Sequence, residues 1–412
     1  MASQEPRVKG GVPVPEDERF DVVPPRTDID ALKWGVGPDE LPMWVADMDF
    51  ATAPAIRDAL ERRVANGTFG YTVVPERYRR AVSAWWSTRH GLTVDPRSVI
   101  FATGVVPAIS SMVRSLTNVA EKVVVQPPVY DIFYNSIVNN GRRVLESPLA
   151  YDARTRAYSI DFEDLERKLS DPLATLMIVC NPHNPTGNVW SKDELARIGE
   201  LCAANGAHVI SDEVHCDITA PGVSHVPFAS ASDTCRRISV TCCSPSKAFN
   251  VAGLQSAYVF LDDPATRHRV ERGLNTDEVA EPNDFAICST VAAYERGAAW
   301  LDGMRRYVDA NRRAVEDAIA RSDVGAFMRA VPSRATYLVW IDCSAFVEDA
   351  DDFVSFARRQ TGLVLSSGSI YGTGGRRFVR MNVATSRKLV LDGVGRLLRA
   401  VRGYIDAAGG VG

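Results

Sequence analysis

The sequence predicts an α/β fold with a mainly parallel, covered sheet, followed by a smaller α+β unit. Three observations predict it. Short, near-continuously apolar β-branched runs alternate with longer amphipathic segments, almost every run ends in Gly, Pro, Asn, Asp or Ser, and the texture changes after about Gly297.

Taken in order, the residues before Ala51 are too few to fold alone and are expected to pack as an arm against the smaller unit. From about Ala53 the spacing of Ile56, Leu60 and Val64 predicts a helix with one apolar face, capped by Thr52 and carrying Pro54 in its first turn. SVIFATG, KVVVQPP, TLMIVCNP, AHVISDE, ISVTCCSPSK and SAYVFL are expected strands, and all but the last meet a breaker at the C-terminal end. Between them, KDELARIGELCAANG puts Leu195, Ile198 and Leu201 on one face, with Gly206 placed to end the helix. A helix from Trp300 to Ser322 then leads into two more strands, TYLVWIDC and RRFVRMNVA, and a final helix. The expected division is residues 1–50 as arm and part of the small domain, 51–297 as the large domain and 298–412 as the small domain. In such sheets ligands bind beyond the carboxyl ends of the strands, where this chain concentrates its polar residues.

The 412 residues, 46% hydrophobic and 24% charged, suffice for a substantial core in two or three compact units. Forty-seven basic and 51 acidic residues are interspersed, giving a net charge of -4 and no basic block suited to nucleic acid or a membrane surface. No apolar run approaches the roughly 20 residues that span a bilayer. Eight cysteines show neither a disulfide framework nor a metal-ligand spacing, so reduced thiols and no metal are expected. The Pro- and charge-rich N-terminus lacks the apolar centre of a secretory signal, which points to the cytoplasm.

Three strand ends carry the chemistry. CCSPSKAFNVAGLQ sets Lys247 among Ser244, Ser246 and Asn250 before an apolar turn. A lysine doing covalent work must lose its proton near neutrality, which needs desolvation or a cationic neighbour. On position alone a surface loop explains Lys247 better, and other residues must decide. CNPHNPTGNVW offers the amides of Asn181 and Asn184, with more prolines and asparagines than a turn requires. VISDEVH ends a strand in Asp212 and Glu213, which an ordinary strand-end acid pair also explains. Further on, strict alternation in RFVRMNVA sets Phe378, Arg380 and Asn382 on one face and Val379, Met381 and Val383 on the other.

Taken together, the Asn-Pro-Thr-Gly loop, the strand-end Asp and the Ser-x-x-Lys, in that order, resemble the fold-type I, pyridoxal-phosphate-dependent aminotransferase superfamily. The wording of LPMWVADMDF, FGYT, TGVVPAIS, NPHNPTGNVW, SDEVHCDI, SPSKAFNVAGLQ and RMNVATSR is similar to its MalY/PatB branch, the cystathionine β-lyases and related cysteine C-S lyases. The resemblance covers nearly all of the chain after about residue 18. It implies a large domain with a seven-stranded, mainly parallel sheet and a homodimer.

What the resemblance implies at each residue has a physical reason. Lys247 would bond the aldehyde of pyridoxal 5′-phosphate, and Asp212 would keep the ring nitrogen protonated. Asn184 would meet the 3-hydroxyl, His215 stands where many transaminases place a tyrosine for that group, and Tyr130 would stack on the ring. Gly104, Val105 and Val106 would offer backbone N–H groups to the phosphate at a helix start. Ser244 would add a hydroxyl, and Tyr71 would reach the phosphate of a neighbouring subunit. Arg380 would hold the substrate α-carboxylate with its planar fork, and Trp44 and Asp47 would line the pocket for whatever hangs from the sulfur. Gln255 replaces an arginine that commonly contacts the phosphate in aminotransferases. The expected reaction is α,β-elimination from cystathionine or another cysteine S-conjugate, giving a thiol, pyruvate and ammonia. Open alternatives are a transaminase, a specialised-metabolism enzyme acting on a larger conjugate by elimination or by decarboxylation and oxidative deamination, and a cofactor-binding regulator.

Overall fold

The computed structural model describes residues 18–26 and 29–409 of the chain. Its central sheet has seven strands in the spatial order 99–102, 257–260, 239–243, 208–212, 174–180, 122–125 and 143–146. Only Ala257–Phe260 runs against its neighbours; the remaining pairings are parallel. All six runs expected in this region are strands. The seventh, Arg143–Glu146, carries charge at both ends because it is an edge strand half open to water, and so shows no apolar run to read.

Alternation along Ala174–Cys180 sends its side chains to two cores. Met177 and Val179 pack with Leu195, Ile198 and Leu201 of the Lys192–Ala204 helix, while Leu176 and Ile178 pack with Ile109, Met112 and Val113 of the Val105–Leu116 helix. Ser191 begins the Lys192–Ala204 helix with a capping box, its Oγ accepting from Glu194 N at 3.2 Å and Glu194 Oε2 accepting from Ser191 N at 2.7 Å. Gly206, at φ +70, follows the helix end as expected.

The Pro54–Asn66 helix departs from expectation in two ways. Thr52 does not cap it; its hydroxyl donates to Phe249 O at 2.6 Å instead. Only the start of the expected apolar face is covered, with Ile56 buried, Leu60 half-buried and Val64 exposed, because the described residues leave the Val64 side of the last turn open.

A second, antiparallel sheet orders 329–330, 338–342, 378–382 and 366–367. The alternation expected in Phe378–Asn382 is present with both faces buried. Phe378 packs with Trp340, while Val379, Met381 and Val383 join the largest core. The N-terminal segment joins this part of the molecule, since Leu41–Pro42 pairs in parallel with Leu363–Val364 and Asp49 N donates to Ala384 O at 2.8 Å.

Candidate active site

The carboxyl ends of the parallel strands bring the expected residues to one edge. Asp212 is the last residue of its strand, the Asn181–Gly187 loop follows the neighbouring strand, and Ser244 follows the strand on the other side. Ser244 caps the short helix Pro245–Phe249, on which Lys247 sits. That helix ends at Asn250 in the left-handed region, φ +56, which asparagine tolerates. The Asn250 amide then grips the arm: Oδ1 accepts from Met48 N at 3.1 Å, and Nδ2 donates to Met48 O and Phe50 O at 2.9 Å.

The arm runs across the cleft as a strap, and its carbonyls hold the side chains of Lys247, Arg380 and Asn382. Lys247 Nζ donates to Ala46 O at 2.6 Å, and Arg380 NH2 to Trp44 O at 3.0 Å. Asn382 Nδ2 donates to both Val45 O and Asp47 O at 2.6 Å. The strap is fixed from behind by Asp49, whose carboxylate accepts from Arg26 and Lys33 at 3.0 Å and from Trp34 Nε1 at 2.8 Å. Lys33 is fully buried, so this ion cluster is costly to break once formed.

Arg380 is buried, and its NH1 donates to Asn184 Oδ1 at 3.0 Å. Its Nε is buried with no partner, and it forms no ion pair among the described residues. A buried guanidinium with a free donor and no counter-ion is a receptor for an anion. Its charge also helps to keep the amine neutral: burial lowers Lys247 to about 8 and Arg380 adds to that, against the pull of Asp47 and Asp212. Burial raises the Asp212 carboxyl to about 7, opposed by the N–H of Val214 and by Lys247. Burial, with Lys247 and Arg380 beyond it, lowers His215 to about 3, so its ring is neutral.

Other expected residues fall as follows. Tyr130 lines the cleft partly buried, its phenol raised chiefly by burial and its ring edge-on to Phe133. Gly104 precedes the Val105–Leu116 helix, so the N–H groups of Val105 and Val106 lie in a first turn with no helical acceptor. Ser244 Oγ is already engaged, donating to Ser256 O at 2.6 Å and accepting from Ser246 N at 2.9 Å. Asn181 turns its amide to Val226 O at 2.9 Å rather than to the cleft. Asp47 pairs with Arg26 at 3.0 Å and lies 3.7 Å from Lys33, and the Trp44 indole donates to Lys33 O at 3.4 Å. Both also reach the site through backbone oxygens, Trp44 O to Arg380 and Asp47 O to Asn382, while the Asp47 carboxylate stays near enough to act on Lys247. Tyr71 is fully exposed on the outer face, and Gln255 is exposed at φ +52.

Sequence reasoning missed Tyr337, whose hydroxyl donates to Ala46 O at 2.9 Å, and the strap's carbonyls. Every residue has a carbonyl, so no sequence signal marks those that matter. Gly187 closes the Asn184 loop at φ +73, where a Cβ would run into the Ser333 side chain and approach Ala335 O to 3.2 Å. Gly187→Ala is expected to cost about 2–4 kcal/mol of stability from backbone strain plus overpacking, read as a lower midpoint in thermal unfolding.

The family model for aminotransferase class I and II matches residues 39–397. The chain is 41% identical to cystathionine beta-lyase PatB of Bacillus subtilis (strain 168) over 389 residues, 93% of this chain and 99% of that one. The structure of cystalysin from Treponema denticola, which contains a pyridoxal 5′-phosphate cofactor, superposes with a TM-score of 0.89 at 30% identity, covering 93% of this chain and 98% of that one. The pyridoxal-phosphate-bound C-S lyase of Staphylococcus hominis gives a TM-score of 0.85 at 30% identity, over 92% and 97%.

Proposed function

We infer the reaction from one premise, that the chain belongs to the aminotransferase class I and II family. It is a pyridoxal 5′-phosphate-dependent carbon–sulfur lyase. The substrate reading is cystathionine or another cysteine S-conjugate, cleaved by α,β-elimination to a thiol, pyruvate and ammonia. The observation that carries it is the meeting of Lys247, Asp212, Asn184 and Arg380 in one cleft.

The residues fit the cofactor. An aldehyde needs an amine that is partly neutral near pH 7, and Lys247 is one. A ring nitrogen needs an acid with no competing cation in direct contact, and the buried Asp212 carboxylate accepts, among the described residues, only from Val214 N, at 3.1 Å. Tyr130 would support the ring and Asn184 its hydroxyl, while the first turn at Gly104, Val105 and Val106 would hold the phosphate, with Ser244 beside it. When bound, the group supplies an electron sink for the α-carbon. Arg380 holds the substrate carboxylate through its free Nε edge and fixes which bond at the α-carbon faces Lys247. Lys247 then takes the α-proton as general base, and the electron pair left at the α-carbon forms the α,β double bond as the β-carbon–sulfur bond breaks and sulfur leaves as a thiolate. His215, neutral beside it, adds no charge to compete for the carboxylate.

The same proposal places Tyr71 on a neighbouring subunit's phosphate in a homodimer. Its full exposure, with Phe69, Val73 and Val64 also uncovered nearby in the chain, supports that reading. It also divides the chain at residues 50 and 297 as expected from the sequence, the arm belonging with the small domain. A cytoplasmic location is supported by eight cysteines that are all unpaired. Among the described residues no helix is long and apolar enough to cross a membrane.

Purified holoenzyme given cystathionine without any keto acid is expected to release thiol, pyruvate and ammonia over many turnovers. Release that stops near one equivalent per site and resumes only with a keto acid would show a transaminase instead.

A further inference from the structure

We infer that Tyr337 is a positioning residue for the free amine of Lys247, acting through the carbonyl of Ala46. The inference rests on the lyase reading of the site and adds a residue to it.

One oxygen receives two donors, Lys247 Nζ at 2.6 Å and the Tyr337 hydroxyl at 2.9 Å. A carbonyl oxygen has two lone pairs, so these donors fill it. A neutral amine that gives one N–H to Ala46 turns its own lone pair away from the strap. An ammonium makes the same bond more strongly. Tyr337 takes a share of the electron density that the ammonium would otherwise use, and so favours the neutral base. It also fixes the direction of the carbonyl, and with it the place of Nζ.

The local backbone shows that Tyr337 is held there against resistance. Thr336, a β-branched residue, sits at φ +68 with its N–H bonded to Ile218 O at 2.7 Å. Such strain persists only where the surroundings over-determine it, and it gathers at functional sites. Here it delivers the next residue, fully buried, beneath the strap and edge-on to His215 at 6.2 Å between ring centroids. The charged and titratable groups around Nζ are Arg380 from the second sheet, Asp47 from the strap, and Asp212 and His215 from the strand end. Those around the Tyr337 hydroxyl are Asp47, Arg380 and Tyr130. None of these side chains donates to Ala46 O.

Tyr337→Phe in the full-length protein tests this with two readouts. The rate at which the apoenzyme takes up pyridoxal 5′-phosphate, followed by absorbance, tracks the neutral fraction of Lys247, so its pH midpoint reports the amine directly. The acid limb of kcat with a cysteine S-conjugate reports it again. Both midpoints are expected to move up by about half to one pH unit, and kcat at neutral pH to fall about tenfold with KM little changed. A fluorinated tyrosine at position 337, similar in shape and a stronger donor, is expected to move both midpoints down, and it serves as the test should Tyr337→Phe fail to fold. Unmoved midpoints, whatever happens to kcat, or movement in the same direction in both proteins, would overturn the proposal. Failure to make pyruvate would sink the lyase reading alone, because cofactor uptake still reports on Tyr337.

Discussion

Lys247→Ala is expected to cut thiol and pyruvate release by about 10⁴-fold or more and to abolish the visible absorbance of the bound cofactor, while the chain stays folded. Both losses have one cause, because the same amine bonds the aldehyde and takes the α-proton. The fold should survive because the Pro245–Phe249 helix is not held by Lys247. Its N-terminus is capped by Ser244, and its C-terminus is tied to the arm by the Asn250 amide, which donates two hydrogen bonds and accepts one. The Nζ bond to Ala46 O is part-buried and the side chain keeps some accessible surface, so alanine opens space at the cleft rather than in the core. Parallel assays of absorbance, product release and thermal unfolding separate the roles. Release above a few per cent of the parent rate in a folded variant would show that another group does the chemistry.

The second large effect is expected at Arg380. Arg380→Ala should lower kcat/KM by about 10²- to 10⁴-fold, mostly through KM, since a charge-assisted hydrogen bond is worth about 1.5–3 kcal/mol and a carboxylate takes two. Arg380→Lys keeps the charge but loses the planar fork, so it should recover only part of the loss. The assignment has its own control in a substrate methyl ester, which lacks the carboxylate. The parent enzyme should discriminate strongly against the ester, and Arg380→Ala should not. Equal discrimination by both proteins would place the carboxylate elsewhere. Asn184 Oδ1 and Trp44 O also lose a donor in Arg380→Ala, so thermal unfolding is needed to show that the loss is one of binding.

Singly, Lys247 and Asp212 fit a surface loop and a strand-end acid pair; it is the order of the three loops, with more Asn and Pro in one of them than a turn requires, that made them legible together. Arg380 was legible from alternation, because it falls on a face shared with Phe378 and Asn382. Asp47 and Trp44 were expected in the site for their side chains. Ion pairs to Arg26 and Lys33 engage the Asp47 carboxylate, which still acts on Lys247, and the backbone oxygens of the strap add contacts that a side-chain reading does not show. Periodicity identified the Pro54–Asn66 helix but not what covers it, since spacing defines a face without naming its partner. The Arg143–Glu146 strand was hidden because edge strands are selected for charge rather than for apolar runs. Tyr337 was hidden because a positive φ at threonine has no signature in composition.

The grip of Trp44 on Arg380 joins positions 336 residues apart. During synthesis on the ribosome, Asp212 and Lys247 emerge long before Arg380, so a nascent chain can complete the half that meets the cofactor while the half that meets the substrate is still missing. Full competence therefore arrives only when the strand that carries Arg380 docks under an arm translated long before it.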